Sequence, residues 1–133
     1  MIMKRDMDLI RKILLTTESD IHGFAPQKPM EIDGYTQEEI GYHIHLLGEA
    51  DLAKVINMTF DQSDSPSAQM LNLTWNGHEF LDSARENTRW NQAKDKISKM
   101  GGASIEIWLA LLIELGKKQL GLLDGRFDNQ GGK

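Results

Sequence analysis

The histidines are the side chains of this chain best suited to binding a metal, and their spacing argues against it. His43 and His45 lie two residues apart on a predicted helix, so their rings point in different directions and do not chelate one ion. His78 and Glu79 are adjacent and diverge in the same way. Two histidines four residues apart, the arrangement of zinc peptidases, do not occur in the sequence. We expect no metal and no cofactor.

Motifs for nucleophilic or nucleotide chemistry are absent as well. The sequence contains no phosphate-binding P-loop, no GxGxxG and no GxSxG. His43 falls on the inward side of its predicted helix, where a histidine is more often a hydrogen-bonded structural residue than a base. Tyr42 and His45 fall on the outward side and suit contact with a partner. We therefore expect a protein that is not an enzyme.

The composition is that of one globular domain. The chain has 133 residues, of which 40% are hydrophobic and 26% charged, and this excludes a disordered chain. Because there is no cysteine, disulfides and thiolate metal sites are excluded. The first residues lack the apolar core of a secretory signal, and the longest apolar stretch, residues 105–115, is broken by Glu106 and Glu114. We expect a cytoplasmic protein without a membrane span.

The negative charge is concentrated in one part of the chain. The net charge is −5, and residues 19–69 hold nine acidic residues against Lys28 and Lys54. A nucleic-acid surface needs cations that replace the counterions of phosphate. This segment does not supply them.

The first half of the sequence predicts two helices separated by an irregular stretch. Asp6 can cap a helix over residues 6–17, because apolar residues recur there at helical spacing. Prolines and glycines exclude a full helix over residues 19–35, and residues 28–32 could form a short edge strand. Thr36 and Glu39 form a capping box that opens a helix to residue 50. The first helix also gathers basic residues on one side, and these are Lys4, Arg5, Arg11 and Lys12.

The second half predicts a hairpin followed by three helices. Residues 54–60 and 69–73 have the β-branched and aromatic character of strands and flank a polar loop. Thr74 can cap a helix to residue 86, and Asn87-Thr88 indicates a break and a new cap before a helix that ends at Gly101-Gly102. Ser104 can cap a final helix to residue 120. The tail over residues 124–133 is expected to be flexible.

Two segments resemble parts of bacterial winged-helix regulators. EEIGYHIHLLGEADLAKV looks like their third helix and the strand after it, and LNLTWNGHEFLDSAR looks like the exit of the wing, with Leu73, Thr74 and Gly77 at matching positions. The segments MKRDMDLIRKILL, YHIHLL, LTWNGHEFLD and TRWNQAKDKI are similar to an uncharacterised family of bacterial and phage winged-helix proteins. That resemblance implies a fold and no activity.

The sequence departs from those regulators in two places. Their second helix, which braces the DNA-reading helix, is replaced by the stretch over residues 20–35. Asp51 stands where they usually carry a glycine in a left-handed turn, a conformation that aspartate tolerates better than most residues.

The residue types on the predicted DNA-reading helix disfavour DNA. Base readout favours arginine, lysine, asparagine and glutamine, whereas the outward positions here are Gln37, Glu38, Gly41, Tyr42 and His45. A protein partner fits this face better, and we predict its contacts at Glu38, Tyr42, His45 and Glu49. The alternative is a DNA-binding regulator whose phosphate contacts come from helix 1 and residues 85–99. Those contacts would be Lys4, Arg5, Arg11, Lys12, Arg85, Arg89 and Lys94.

The last helix is apolar over most of its circumference, which predicts burial on more than one side. We interpret it as the contact of a homodimer; the alternative is complete burial within a monomer. The predicted contact residues are Ile105, Trp108, Leu109, Leu112 and Ile113.

The sequence thus predicts an α+β winged-helix domain, ordered as helix, short strand, helix, β-hairpin wing and helices, with a C-terminal helical extension. We place the domain in residues 1–100, the apolar helix in 101–123 and the tail in 124–133. The predicted function is a non-catalytic protein-interaction or regulatory module.

Overall fold

The chain alternates helices with a single antiparallel hairpin. The computed structural model describes residues 3–20, 22–26 and 28–121, and the predicted tail at 124–133 lies outside them. Within the described residues there are five helices and two strands, which confirms the α+β class. In chain order they are α1 (Met7–Glu18), α2 (Gln37–Glu49), β1 (Ala53–Asn57), β2 (Ala68–Leu73), α3 (Trp75–Ala84), α4 (Asn87–Ser98) and α5 (Ile105–Gln119).

The internal contacts divide the chain into two units, Met1–Leu81 and Asp82–Lys133. The first unit contains α1, α2 and the hairpin, and the second contains α4 and α5. Helix α3 crosses the boundary. The sequence predicts a later boundary, after residue 100.

Both helices of the first unit begin at the predicted caps. Oδ1 of Asp6 accepts hydrogen bonds from the backbone N–H groups of Asp8 and Leu9 at 2.9 and 3.2 Å. Thr36 and Glu39 form the full capping box, with distances of 3.1 and 2.9 Å. Each cap satisfies N–H groups that have no partner inside the helix. The core between the elements is aliphatic and includes Leu9, Ile13, Leu14, Ile40, Ile44, Leu47 and Met70.

The hairpin pairs Ala53 with Leu73 and Ile56 with Gln69 in an antiparallel register. The register shifts between Lys54 and Val55, as in a β-bulge. Val55 lies against α2, because its Cγ2 would be 2.6 Å from a Cβ placed on Gly48. A glycine in α2 therefore lets the hairpin approach the helix closely.

The turn from α2 into β1 uses a left-handed residue. Asp51 has φ of +59°, as its position in place of a glycine predicts, and no other non-glycine among the described residues has positive φ. After the turn, the carbonyl oxygen of Leu52 accepts a hydrogen bond from the N–H of Thr74 at 3.2 Å. A Cβ on Gly77 would overlap that same oxygen. Gly77 thus allows the first turn of α3 to pack directly on the backbone of Leu52.

The prediction of a short strand at residues 28–32 is wrong. This segment forms no strand, since Pro29 has no N–H to donate and the carbonyl of Met30 accepts from Nε2 of Gln37 at 2.8 Å. Earlier in the chain, the N–H of Ala25 donates to the carbonyl of Leu71 at 2.8 Å, and this hydrogen bond attaches the stretch before α2 to the hairpin.

The second unit is built on a pair of tryptophans. The rings of Trp90 on α4 and Trp108 on α5 stack with centroids 4.6 Å apart, and both are buried. Ser104 caps α5 as predicted. The cap of α4 differs from the prediction: it is Glu86 and not Asn87 or Thr88, because the Glu86 carboxylate accepts from the N–H groups of Thr88 and Arg89.

Candidate partner-binding face of helix α2

Three of the four predicted partner contacts form one row on α2. The rings of Tyr42 and His45 stack with centroids 6.3 Å apart and planes 29° apart. Nε2 of His45 lies 3.5 Å from Oε1 of Glu49, one turn further on. Tyr42 and His45 are half-buried and Glu49 is exposed. The row therefore presents aromatic surface that ends in a carboxylate.

The fourth predicted contact, Glu38, is joined to the hairpin loop. The hydroxyl of Ser65 donates to Oε2 of Glu38 at 2.6 Å. The same loop carries Asp61 and Asp64, both exposed. The first turn of α2 and the loop thus contribute acidic side chains to one region of the first unit.

Gly41 does not lie on the outward face, contrary to the prediction. It is buried, and a Cβ at this position would overlap the hydroxyl of Ser67. The hairpin covers this part of the helix, so Gly41 is unavailable to a ligand. Helical spacing alone placed it outward because the sequence did not show where the hairpin returns.

His43 is a structural residue, as predicted. Only 2% of it is exposed. Its Nε2 accepts from the backbone N–H of Asp6 at 2.8 Å, and its Nδ1 lies 2.8 Å from the carbonyl of Glu39. An accepting Nε2 and a carbonyl facing Nδ1 require the neutral ring with its proton on Nδ1. Both nitrogens are therefore used within the fold.

Tyr35 connects the same region to α1. Its hydroxyl donates to Oδ2 of Asp6 at 3.1 Å. The pKa of Tyr35 is raised to about 12, first by burial and then by the negative charge and the hydrogen bond of Asp6. The ammonium of Lys12 lies 5.4 Å from the centroid of the ring. Lys12, predicted as a phosphate contact, is thus within cation–π range.

The predicted phosphate contacts are distributed over both units. Lys4, Arg5 and Lys12 are exposed in the first unit, where Arg11 is half-buried. In the second unit Arg85 pairs with Asp82 at 2.8 Å, and Lys94 is half-buried. Each unit therefore holds its own basic residues.

Arg89 forms hydrogen bonds within the second unit. Its Nε donates to the carbonyl of Ser83 and its Nη1 donates to Oε1 of Gln119, both at 2.9 Å. Nε2 of Gln119 in turn donates to Glu86. That hydrogen bond, with those from Thr88 and Arg89, lowers the pKa of Glu86 to about 2. The guanidinium of Arg89 has structural partners and is not a free phosphate contact.

The predicted dimer residues divide into two groups. Trp108 and Leu112 are buried within the chain. Ile105 and Leu109 are half-buried and Ile113 is 43% exposed. These three recur every four residues and so form one stripe along α5.

Trp75 was not predicted as a site residue. This residue is 79% exposed, the largest exposed fraction among the large hydrophobic side chains described. A signal was present: if Thr74 caps α3 and Phe80, Leu81 and Ala84 point inward, helical geometry places Trp75 on the opposite side.

A cavity of about 230 Å³ lies between α2, the hairpin and the stretch before α2. Its walls are mostly apolar and include Pro26, Pro29, Met30, Ile40, Ile44 and Met70.

Among the residues that the structure describes, no group of three or more His, Cys, Asp or Glu side chains could hold a metal ion. None of the helices in that part of the chain is long and apolar enough to cross a bilayer.

Comparison with known proteins gives a family and one relative. The family described as "Hypothetical protein (DUF2513)" matches residues 4–104. The chain is also similar to an "Uncharacterized protein" of Haemophilus influenzae, with 40% identity over 95 residues that cover 71% of this chain and 79% of that protein. No solved structure matches. The family match ends at Ser104, the cap of α5, so it includes the whole candidate face.

Proposed function

This chain belongs to the DUF2513 family, and we propose that it is a non-catalytic winged-helix module that binds a positively charged protein. The binding face is α2 with the hairpin loop, and its contacts are Glu38, Tyr42, His45 and Glu49. This face stands where a winged-helix regulator would read DNA.

The order of elements supports the winged-helix assignment. Helix α2 leads through one turn into the antiparallel hairpin, and the hairpin leads through Thr74 into α3. Thr74 accepts from the N–H of Gly77 at 3.0 Å, and Gly77 packs on Leu52. Those are the positions at which the sequence resembles the exit of a wing.

One observation supports the choice of a positively charged partner: α2 contains no lysine or arginine. Its surface carries three glutamates and one histidine. They are Glu38, Glu39, His45 and Glu49. The loop adds Asp61 and Asp64. Carboxylates repel phosphate and release no counterions from DNA, whereas they attract lysine and arginine of a protein. Tyr42 adds the aromatic surface that is enriched in protein interfaces.

The test is site-specific photo-crosslinking in the native host. A photoreactive phenylalanine analogue replaces Tyr42, and a matched control carries it at Asn91, which is exposed on α4 of the second unit. We expect a discrete adduct with a basic polypeptide from position 42 and none from position 91. The double variant E38K/E49K is expected to reduce the adduct roughly tenfold through charge repulsion. Equal adducts from both positions, no adduct, or an adduct insensitive to charge reversal would contradict the proposal.

A DNA-binding regulator is the competing hypothesis. It is tested by fluorescence anisotropy of a labelled duplex at low and at high salt. Binding at low salt that weakens with added salt and is lost in K4E/R5E would support it. If no binding occurs at low salt, DNA binding through the basic residues is excluded.

We also propose that α5 forms the contact of a homodimer. The support is the stripe of Ile105, Leu109 and Ile113, which leaves apolar surface partly exposed beside the buried side of the helix. Because Trp108 and Leu112 are buried within the chain, the proposed contact does not include these two predicted residues.

A further inference from the structure

Trp75 is exposed at a position where the fold holds it firmly. It is the first residue of α3, and 79% of it is accessible to solvent. The other two tryptophans, Trp90 and Trp108, are only 2% and 5% exposed. An exposed indole on an ordered helix leaves a large amphipathic surface without a partner, and tryptophan is the residue type most enriched at binding hot spots.

Both chain neighbours of Trp75 are bonded to Asp51. The hydroxyl of Thr74 donates to the carbonyl of Asp51 at 2.6 Å, and Nδ2 of Asn76 donates to its Oδ2 at 3.1 Å. Asp51 is exposed, and its Oδ1 takes no part in the hydrogen bond with Asn76. Trp75 therefore starts α3 next to the carboxylate of the turn that follows α2.

A second carboxylate lies one helical turn after the indole. Glu79 is four residues beyond Trp75 in α3 and is exposed. Side chains at this spacing are neighbours on a helix surface. The indole is thus accompanied by acidic groups from two elements, Asp51 before it and Glu79 after it.

We propose that Trp75, Asp51 and Glu79 receive an arginine side chain of the positively charged partner. The inference rests on the proposed function and identifies a second contact, outside the row of Tyr42, His45 and Glu49. A guanidinium is planar, so one face can stack on the indole while its edge donates to a carboxylate. The two acidic groups disfavour nucleic acid and anionic lipid at this site, because phosphate would be repelled.

The test uses the full chain and a short peptide of alternating arginine and glycine. Its matched control peptide has glutamate in place of arginine. Binding is followed by tryptophan fluorescence, to which Trp75 contributes the exposed component, and by anisotropy of the labelled peptide. We expect the arginine peptide to change the fluorescence of the wild type, and the glutamate peptide to leave it unchanged.

Two variants assign the effect to the site. W75A is expected to weaken binding roughly three- to tenfold and to abolish the fluorescence response, and E79Q to weaken it roughly two- to threefold. The matched control is F24A, which removes another exposed aromatic side chain, 61% accessible, from the stretch before α2. It is expected to bind the peptide as the wild type does. Circular dichroism checks that each variant is folded.

Several results would contradict the proposed arginine site. These are unchanged affinity in W75A, equal losses in W75A and F24A, or no binding of the arginine peptide. If the wavelength of maximum tryptophan emission shifts with protein concentration in the absence of peptide, Trp75 is assigned to a contact between two copies instead. If W75A leaves the crosslink from position 42 intact while E38K/E49K removes it, the arginine site fails and the proposed function stands.

Discussion

The backbone N–H of Asp6 donates a 2.8 Å hydrogen bond to Nε2 of His43 and so joins the start of α1 to the middle of α2. The Asp6 carboxylate accepts from the first turn of α1 and from the Tyr35 hydroxyl. His43 in turn faces the carbonyl of Glu39, which belongs to the capping box of α2. The N-terminal ends of both helices are therefore fixed by one connected set of hydrogen bonds.

Replacing His43 with alanine is expected to destabilise the protein by about 2–4 kcal/mol. The substitution leaves a space in the core and removes the acceptor of the Asp6 N–H. The measurement is the free energy of unfolding in urea. The control is His78→Ala at an exposed position of α3, where a surface substitution changes stability by at most about 0.5 kcal/mol. Similar losses in both variants would show that the buried hydrogen bonds contribute little.

Tyr35→Phe is expected to remove about 1 kcal/mol of stability at neutral pH, since it deletes the hydroxyl that donates to Asp6. The variant should also change the response to alkali. The pKa of Tyr35 is raised from 10.0 to about 12 in the folded chain, so its contribution is fully present below pH 10. That contribution is lost as the pH rises through 12.

The alkaline effect is measured as the free energy of unfolding of wild type and Tyr35→Phe across the same pH range. Wild-type stability should fall more steeply than that of the variant between pH 10 and 12. Parallel curves would mean that Tyr35 titrates alike in the folded and unfolded chains.

Gly77→Ala is expected to destabilise the protein by about 2–3 kcal/mol, although alanine is the better helix former. The added Cβ would overlap the backbone oxygen of Leu52, which cannot move without displacing the turn after α2. Gly116→Ala is the matched control, because its Cβ would meet only the end of the Arg89 side chain, at 3.0 Å. Thermal unfolding should show a lower midpoint for Gly77→Ala alone. An equal decrease in both variants would contradict the packing argument.

Local signals in the sequence predicted most of the elements. Asp6, Thr36 and Ser104 cap helices where expected, because a cap depends on residues within one turn. Asp51 adopts the left-handed turn for a similarly local reason. Such features are readable from a few neighbouring residues.

Features that depend on distant parts of the chain were not predicted. Gly41 is buried because Ser67, far along the chain, packs against it. Residues 28–32 form no strand, because a strand needs a pairing partner elsewhere in the chain; the carbonyl of Met30 accepts instead from the side chain of Gln37. Tyr42, His45 and Glu49 lie in one row as their spacing predicts, since all three belong to a single helix.

Ile113→Glu is expected to convert the proposed homodimer into a monomer. A carboxylate in the middle of the stripe of Ile105, Leu109 and Ile113 would have to be desolvated on association, which is unfavourable without a partner charge. The control is Ile107→Glu, which makes the same substitution at an exposed position on the other side of α5. Light scattering should give the mass of two chains for wild type and Ile107→Glu, and of one chain for Ile113→Glu. A wild-type mass of one chain would refute the dimer, and a dimeric Ile113→Glu would place its contact away from the stripe.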